Sequence, residues 1–115
     1  MKPAGDPLAE GIELFNRQAF FECHEVLEDL WRPTHGPRRL FLQGVIHLAV
    51  GFYHHQHRNR TGAERQLRKG LKKLAGYLPE FAGVNTALLY REALACLETI
   101  VNGRGPERFP EIRRS

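Results

Sequence analysis

The sequence predicts an all-α protein, a single compact bundle of about five helices. Apolar residues recur at helical spacing along most of the 115 residues, and Pro or Gly separates the apolar runs. No stretch alternates apolar and polar residues as a half-exposed strand would. Hydrophobic residues make up 42% and charged residues 26%, a balance that is typical of a globular protein and excludes a disordered one. We therefore expect one domain over residues 1–115, with antiparallel helical hairpins around a buried central helix.

The first two helices are predicted from their start and stop signals. Asp6 followed by Pro7 is an N-cap with proline at the first helical position, and the helix that it opens ends near Asn16. A second helix covers about residues 19–31 and is stopped by Arg32-Pro33, because proline disfavours helical geometry in the residue before it. These two helices form the first predicted hairpin.

The third and fourth helices form the second predicted hairpin. The third covers about residues 38–57 and is apolar around nearly its whole circumference, which is typical of a central buried helix. Thr61 at the N-cap and Glu64 at N3 form a capping-box pattern that opens the fourth helix. The buried face of that helix is expected to hold Leu67, Leu71, Leu74 and Leu78.

The fifth helix is capped by Asn85 or Thr86 and ends near Val101. The helical core is therefore expected over about residues 6–102, followed by an irregular tail over residues 103–115. Two apolar residues of the tail could dock on the bundle, Phe109 and Ile112.

Composition limits the classes of function. The chain carries Lys+Arg 17 against Asp+Glu 13, a net charge of +4. The two cysteines, Cys23 and Cys96, form no CxxC pair, which excludes a disulfide framework and a thiolate zinc site and indicates the cytoplasm. No apolar leader stands at the N-terminus and no apolar run is long enough for a bilayer, so we expect neither a signal peptide nor a membrane segment.

Basic residues crowd the region of the fourth helix. Such a stripe can mark a nucleic-acid surface. Aromatic residues do not interleave with it, so stacking on single strands is not supported. We interpret the stripe as a solvated helix face and expect no nucleic-acid partner. Its members are Arg58, Arg60, Arg65, Arg68, Lys69, Lys72 and Lys73.

The residues that could carry chemistry fall on the second and third helices. His24 lies inside the apolar arc of the second helix, and Glu28 lies one turn later, within its reach. Gln43, His47 and His54 fall along one strip of the third helix. Because an unpaired polar group in a core costs about 1–3 kcal/mol, the two polar sets are expected to meet. The candidate pocket consists of His24, Glu25, Glu28, Trp31, Gln43, Gly44, His47 and His54.

Two interpretations of these residues stay open. They could form a closed hydrogen-bond network that only fixes the packing, and the protein would then be an interaction module built from TPR-like hairpins. Alternatively, they line a pocket for a small ligand or a divalent transition metal, with His24, Glu28 and His47 as the metal ligands. A His beside a Glu also suits acid–base catalysis, so enzymatic activity stays open. Gly44 and Gly51 would allow close approach of the backbones or leave a cleft.

The same residues resemble a known family. The run from Phe21 to Trp31 carries an HExxExxW element, which Gln43-Gly44 follows. This pattern is similar to family 309 of the domains of unknown function, over about Leu8–Val101. The resemblance implies a short, mostly bacterial type of all-helical protein with no established activity. It also implies that His47 is not an obligatory ligand, since family members often carry Gln or an aliphatic residue there.

Overall fold

The computed structural model describes residues 6–115, and this part of the chain contains five α-helices. β structure in residues 6–115 is limited to two isolated bridges. The prediction of an all-α fold is therefore confirmed. The helices are α1 (Pro7–Asn16), α2 (Phe20–Trp31), α3 (Pro37–Gln56), α4 (Arg60–Leu74) and α5 (Thr86–Val101).

The helix α3 is the centre of the bundle. It packs against α2 on one side and α4 on the other, while α1 packs on α2 and α5 packs on α4. Nine of its residues are buried, and they include Phe41, Leu48 and Phe52. This arrangement agrees with the hairpins and the buried central helix that the sequence predicted.

The C-terminal tail docks on the first hairpin and on α3. The Phe109 ring lies 5.3 Å from the rings of Phe20 and Phe52. Ile112 is buried, and the side-chain amide of Asn16 bonds both its backbone N–H, at 2.7 Å, and its carbonyl, at 2.9 Å. The predicted docking of both apolar tail residues is confirmed, and it anchors the tail where α1 turns into α2.

The start of α4 differs from the prediction. Asn59 is the N-cap, because its side-chain Oδ1 accepts a hydrogen bond from the N–H of Gly62 at 2.9 Å. Thr61 therefore lies inside the helix, and the capping-box prediction is wrong. The reason is the preceding residue, Arg58, whose left-handed backbone (φ 58°) reverses the chain and brings asparagine into the capping position two residues earlier.

The end of α4 also comes earlier than predicted. The α-helix ends at Leu74, and one turn of 3₁₀ helix, Ala75–Tyr77, follows. Pro79 disfavours the helical conformation at the residue before it, and Leu78 has an extended backbone. The Leu78 side chain is 41% exposed. The buried face of α4 therefore holds three of the four predicted leucines, Leu67, Leu71 and Leu74.

Glycines bring the backbones of α3 and α4 close together. A Cβ placed on Gly70 would lie 2.8 Å from the carbonyl oxygen of Gly44. One placed on Gly51 would lie 2.8 Å from Cγ of Leu67. The two glycines that the sequence singled out on α3 thus permit close packing against α4.

Candidate functional site

One strip of α3 is left half-exposed between α2 and α4. It consists of Gln43, His47, Val50 and His54, which recur at helical spacing and therefore lie on one face. All four are half-buried, while most of the residues between them are buried. The sequence predicted a buried polar strip, and this is wrong, because α2 and α4 flank the strip without covering it.

On the α2 side the strip borders an apolar notch of about 160 Å³. The ring of Phe21 is 45% exposed and lies 5.5 Å from the ring of Tyr53 and 6.1 Å from that of His24. The notch is therefore walled mainly by rings from both helices. Its lining residues are Phe20, Phe21, His24, Val50, Tyr53 and His54.

The imidazole of His24 is held in place by Glu28. Its Nε2 lies 2.7 Å from Oε2 of Glu28, and Arg32 donates to the other oxygen of that carboxylate at 3.1 Å. The predicted His24–Glu28 contact is confirmed, although the His24 side chain is 29% exposed and not enclosed in the core. In the neutral imidazole, a carboxylate at Nε2 favours the proton on that nitrogen, and Nδ1 is then a hydrogen-bond acceptor.

Two other predicted residues of α2 lie away from the notch. Glu25 is exposed to solvent. Trp31 is half-buried under Arg39, whose guanidinium carbon lies 3.8 Å from the ring centre. Arg39 also donates to the carbonyls of Trp31 and Thr34, at 3.0 and 3.1 Å. Trp31 therefore closes the turn between α2 and α3, and its Nε1 has no hydrogen-bond partner within residues 6–115.

On the α4 side the strip borders a larger cleft of about 780 Å³. The Nδ1 of His47 lies 2.7 Å from Oε1 of Gln66 on α4. Burial, together with the positive charges of Lys73 and Lys69, lowers the pKa of His47 below its usual value of 6.5, although the bond to Gln66 opposes this. The cleft is lined by Leu40, Gln43, His47, Lys69, Lys72, Lys73, Gly76 and Tyr77.

The three predicted metal ligands are not brought together. His24 and Glu28 bond to each other beside the notch, whereas His47 bonds to α4. Across the described residues 6–115, no group of three His, Cys, Asp or Glu side chains could hold a metal ion. Within residues 6–115 the polar residues of α2 and α3 do not form a closed network either, because the side chain that bonds to His47 is Gln66 of α4.

The two remaining candidates have different roles. His54 lines the notch, and its Nδ1 lies 3.3 Å from the side-chain nitrogen of Asn59. Gly44 contributes no functional group, and it packs against Leu74 and Lys73. His54 therefore belongs to the site on the α2 side, and Gly44 belongs to the packing of α3 on α4.

Neither cysteine is placed to act as a nucleophile. Burial, followed by the charge of Glu22, raises the pKa of Cys23 to about 12. Burial, followed by the charge of Glu92, raises the pKa of Cys96 to about 11. Because the thiolate is the reactive form of cysteine, burial and the raised pKa both disfavour reaction of these thiols at neutral pH.

Sequence reasoning missed several residues of these two sites. Phe21 precedes His24 by three residues and Tyr53 precedes His54, so helical spacing could have placed both beside the notch. Gln66 carried no such signal, since its contact with His47 depends on how α4 is aligned with α3.

No helix within residues 6–115 has both the length and the apolar character that crossing a membrane requires.

Comparison with known proteins identifies the family. A family model described as "Domain of unknown function (DUF309)" matches residues 8–66, which is more than half of the chain. The "Uncharacterized protein YpuF" of Bacillus subtilis (strain 168) is 36% identical over 64 residues, which cover 55% of this chain. The chain spans 37% of the length of that curated relative. The resemblance to this family is thus confirmed over residues 8–66 of the expected range of about 8–101, and the chain belongs to the DUF309 family.

Proposed function

We propose that this protein binds a small molecule at the notch between α2 and α3. An apolar ring of the ligand would occupy the notch, and a hydroxyl or N–H group beside the ring would donate a hydrogen bond to His24. The observation that carries this proposal is the His24–Glu28 pair, which stands at 2.7 Å on the wall of an otherwise ring-lined notch.

The size of the notch sets the size of the ligand. A cavity of about 150 Å³ is known to hold benzene. The notch has about 160 Å³. The rings of Phe21 and Tyr53 offer edge and face contacts to an aromatic guest, and such contacts stabilise a ring beyond the burial of its area. A six-membered ring is therefore the group that the notch fits.

The imidazole supplies the polar half of the recognition. Glu28 accepts from Nε2 of His24, and Arg32 keeps the carboxylate in position. The free Nδ1 then accepts a hydrogen bond from a ligand, and the negative charge of Glu28 strengthens it as an acceptor. The same pair is able to take a proton from a bound hydroxyl, so the proposal includes general-base chemistry as its catalytic form.

Phenol and toluene are the probes that test this proposal. Both carry a six-membered ring, but only phenol can donate to His24. Titration followed by amide NMR should show phenol binding at about 1 mM, an affinity that is reasonable for a fragment of this size. Toluene should bind about fivefold more weakly, because it lacks a hydrogen bond worth about 1 kcal/mol. The shifted resonances should belong to Phe21, Tyr53 and His54.

Substitutions assign the effect to the pair. His24→Leu removes the acceptor and should bring the phenol affinity down to that of toluene. Glu28→Gln keeps an amide oxygen that accepts from Nε2 but removes the charge, so it should weaken phenol binding by a smaller factor. Glu22→Gln on the same helix removes an exposed charge and serves as the control. If phenol and toluene bind equally well in the wild type and in both variants, His24 does not recognise a ligand. The notch would then be a feature of packing, and the interaction-module hypothesis would take its place.

A further inference from the structure

We propose that the cleft between α3 and α4 is a second site, which binds a small phosphate monoester through Lys69, Lys72 and Lys73. The phosphate would lie between these ammonium groups and Gln43 of α3. The apolar body of the ester would lie towards Leu40 and Tyr77. This site lies on the other side of the α3 strip from the notch, and it does not depend on the function proposed above.

The distribution of lysine is the first observation behind this site. The chain has four lysines, and three of them line this one cleft. Within residues 6–115, every ion pair takes its positive partner from arginine or histidine and none from lysine. Two arginines of α4 differ, since both Arg60 and Arg68 pair with Glu64. Part of the basic stripe is thus neutralised by Glu64, whereas the three lysines that line the cleft have no acidic partner within residues 6–115.

The lining of the cleft is the second observation. None of the eight lining residues is acidic, so nothing in the lining neutralises the three ammonium groups. Burial is the main cause of the lowered pKa of His47, and the positive charges of Lys73 and Lys69 add to it. Gln43 is half-buried beside them and can donate hydrogen bonds from its amide. Uncompensated positive charge in a concave site attracts anions.

The charge and the shape of the cleft indicate a phosphate ester of a small molecule. A phosphate monoester carries a charge between −1.5 and −2 at neutral pH and three acceptor oxygens, which suits several ammonium donors better than a carboxylate does. The volume of about 780 Å³ exceeds the needs of inorganic phosphate and lies within the range of small-molecule sites. Leu40 is 50% exposed, and with Tyr77 it provides an apolar end.

A simpler role for two of the lysines is that they stabilise the end of α4. Lys72 and Lys73 lie in its last turn, where a positive charge interacts favourably with the helix dipole. That role does not account for Lys69, which lies one turn earlier, or for the polar wall that α3 supplies through Gln43. The experiment therefore measures ligand binding, which the dipole interaction would not produce.

Phenyl phosphate, benzoate and inorganic phosphate are the probes, and isothermal titration and amide NMR at physiological salt are the measurements. Phenyl phosphate should bind and shift the resonances of Leu40 and Tyr77, away from those of Phe21 and Tyr53 in the notch. Benzoate, which has the same ring and a single charge, should bind at least about fivefold more weakly. Failure of phenol in the notch would leave this result unchanged, so the two proposals are tested separately.

Three variants test which residues bind the ester. The double variant Lys69→Gln/Lys73→Gln should lower the affinity for phenyl phosphate at least about tenfold, because it removes hydrogen bonds between charged groups. Arg65→Gln removes an exposed charge from the same helix and should change the affinity less than about twofold. Gly76→Phe places a ring at a position where no described atom lies within 4 Å of a Cβ. This variant should weaken the binding of phenyl phosphate and leave the binding of inorganic phosphate unchanged.

Three results would overturn the proposal. The first is equal binding of benzoate and phenyl phosphate. The second is an equal loss of affinity in Arg65→Gln and in the double lysine variant, which would indicate nonspecific attraction to the whole stripe. The third is tight retention of a short single-stranded oligonucleotide at the same salt, weakened by Arg65→Gln as much as by the lysine changes. This last result would make the face a nucleic-acid surface.

Discussion

The two sides of α3 border the same half-exposed strip, but they surround it with different chemistry. On the α2 side, rings form a notch of about 160 Å³, and the histidine there is paired with a carboxylate. On the α4 side, lysines and glutamine form a cleft of about 780 Å³, and the histidine there bonds to a neutral amide. His24 and His47 are therefore not equivalent halves of one pocket.

Packing explains part of this difference. Gly70 and Gly51 let α4 approach α3 until backbone atoms and leucine side chains nearly touch. The contact with α2 is formed by large rings, such as Phe20 and Phe52, whose centres lie 5.4 Å apart. Phe20, Phe21 and Tyr53 are also among the residues that wall the notch.

The family match separates the two sides in another way. Residues 8–66 include every residue that lines the notch, and they also include Gln43 and His47. They end before Lys69, so the ammonium groups of the cleft lie outside the matched segment. The notch is therefore the site that a study of the matched segment in other members should examine first.

The largest expected effect tests the close packing on the α4 side. Gly70→Val places a branched side chain where a Cβ alone would lie 2.8 Å from the carbonyl oxygen of Gly44, and a backbone atom cannot move away easily. We expect a loss of about 3 kcal/mol in the free energy of unfolding, which is at the upper end of the usual range for an overpacked core. Gly76→Ala is the matched control, because the added Cβ has open space, and we expect a gain of about 0.5 kcal/mol. Urea denaturation measures both. Equal stability of the two variants would mean that the helices are not in close contact.

The next effect concerns His47 and the pH. Burial and the neighbouring Lys73 and Lys69 hold the pKa of His47 below 6.5 in the folded protein. As the pH falls through 6.5, the unfolded chain takes up a proton before the folded chain does, so the unfolded state gains stability. Between pH 7.5 and pH 5.5 the Tm of the wild type should therefore decrease more than the Tm of His47→Gln. Differential scanning calorimetry of both proteins at the two pH values checks this, and parallel losses would contradict it.

The fold could be predicted from the sequence because its signals are local. Asp6 caps α1 through a bond of 3.0 Å to the N–H of Leu8, and Asn85 caps α5 through one of 3.0 Å to the N–H of Leu88. Each cap needs contacts within a few residues. The capping prediction for α4 was wrong because Asn59 competes for the same role as Thr61, and the chain reversal at Arg58 decides between them.

The site was predicted less completely because its contacts are not local. The His24–Glu28 bond joins residues one turn apart on one helix, and helical spacing alone placed it. The partner of His47 lies nineteen positions away on another helix, and its identity depends on the alignment of α4 with α3. Sequence spacing also fixed which residues share a strip of α3. It did not fix that α2 and α4 would leave the strip half-exposed.

The smallest expected effect distinguishes the two carboxylates beside His24. Glu28 bonds to the imidazole at 2.7 Å, whereas Glu25 is exposed on the neighbouring face of α2. Glu25→Gln should therefore change the free energy of unfolding by less than about 0.5 kcal/mol, as is usual for surface substitutions. Its phenol affinity should equal that of the wild type, because Nε2 of His24 keeps its charged acceptor, Glu28. Urea denaturation and the NMR titration, with Glu28→Gln in parallel, measure both quantities. A loss of phenol binding in Glu25→Gln as large as that in Glu28→Gln would mean that the net charge of α2, and not the bonded pair, governs the notch.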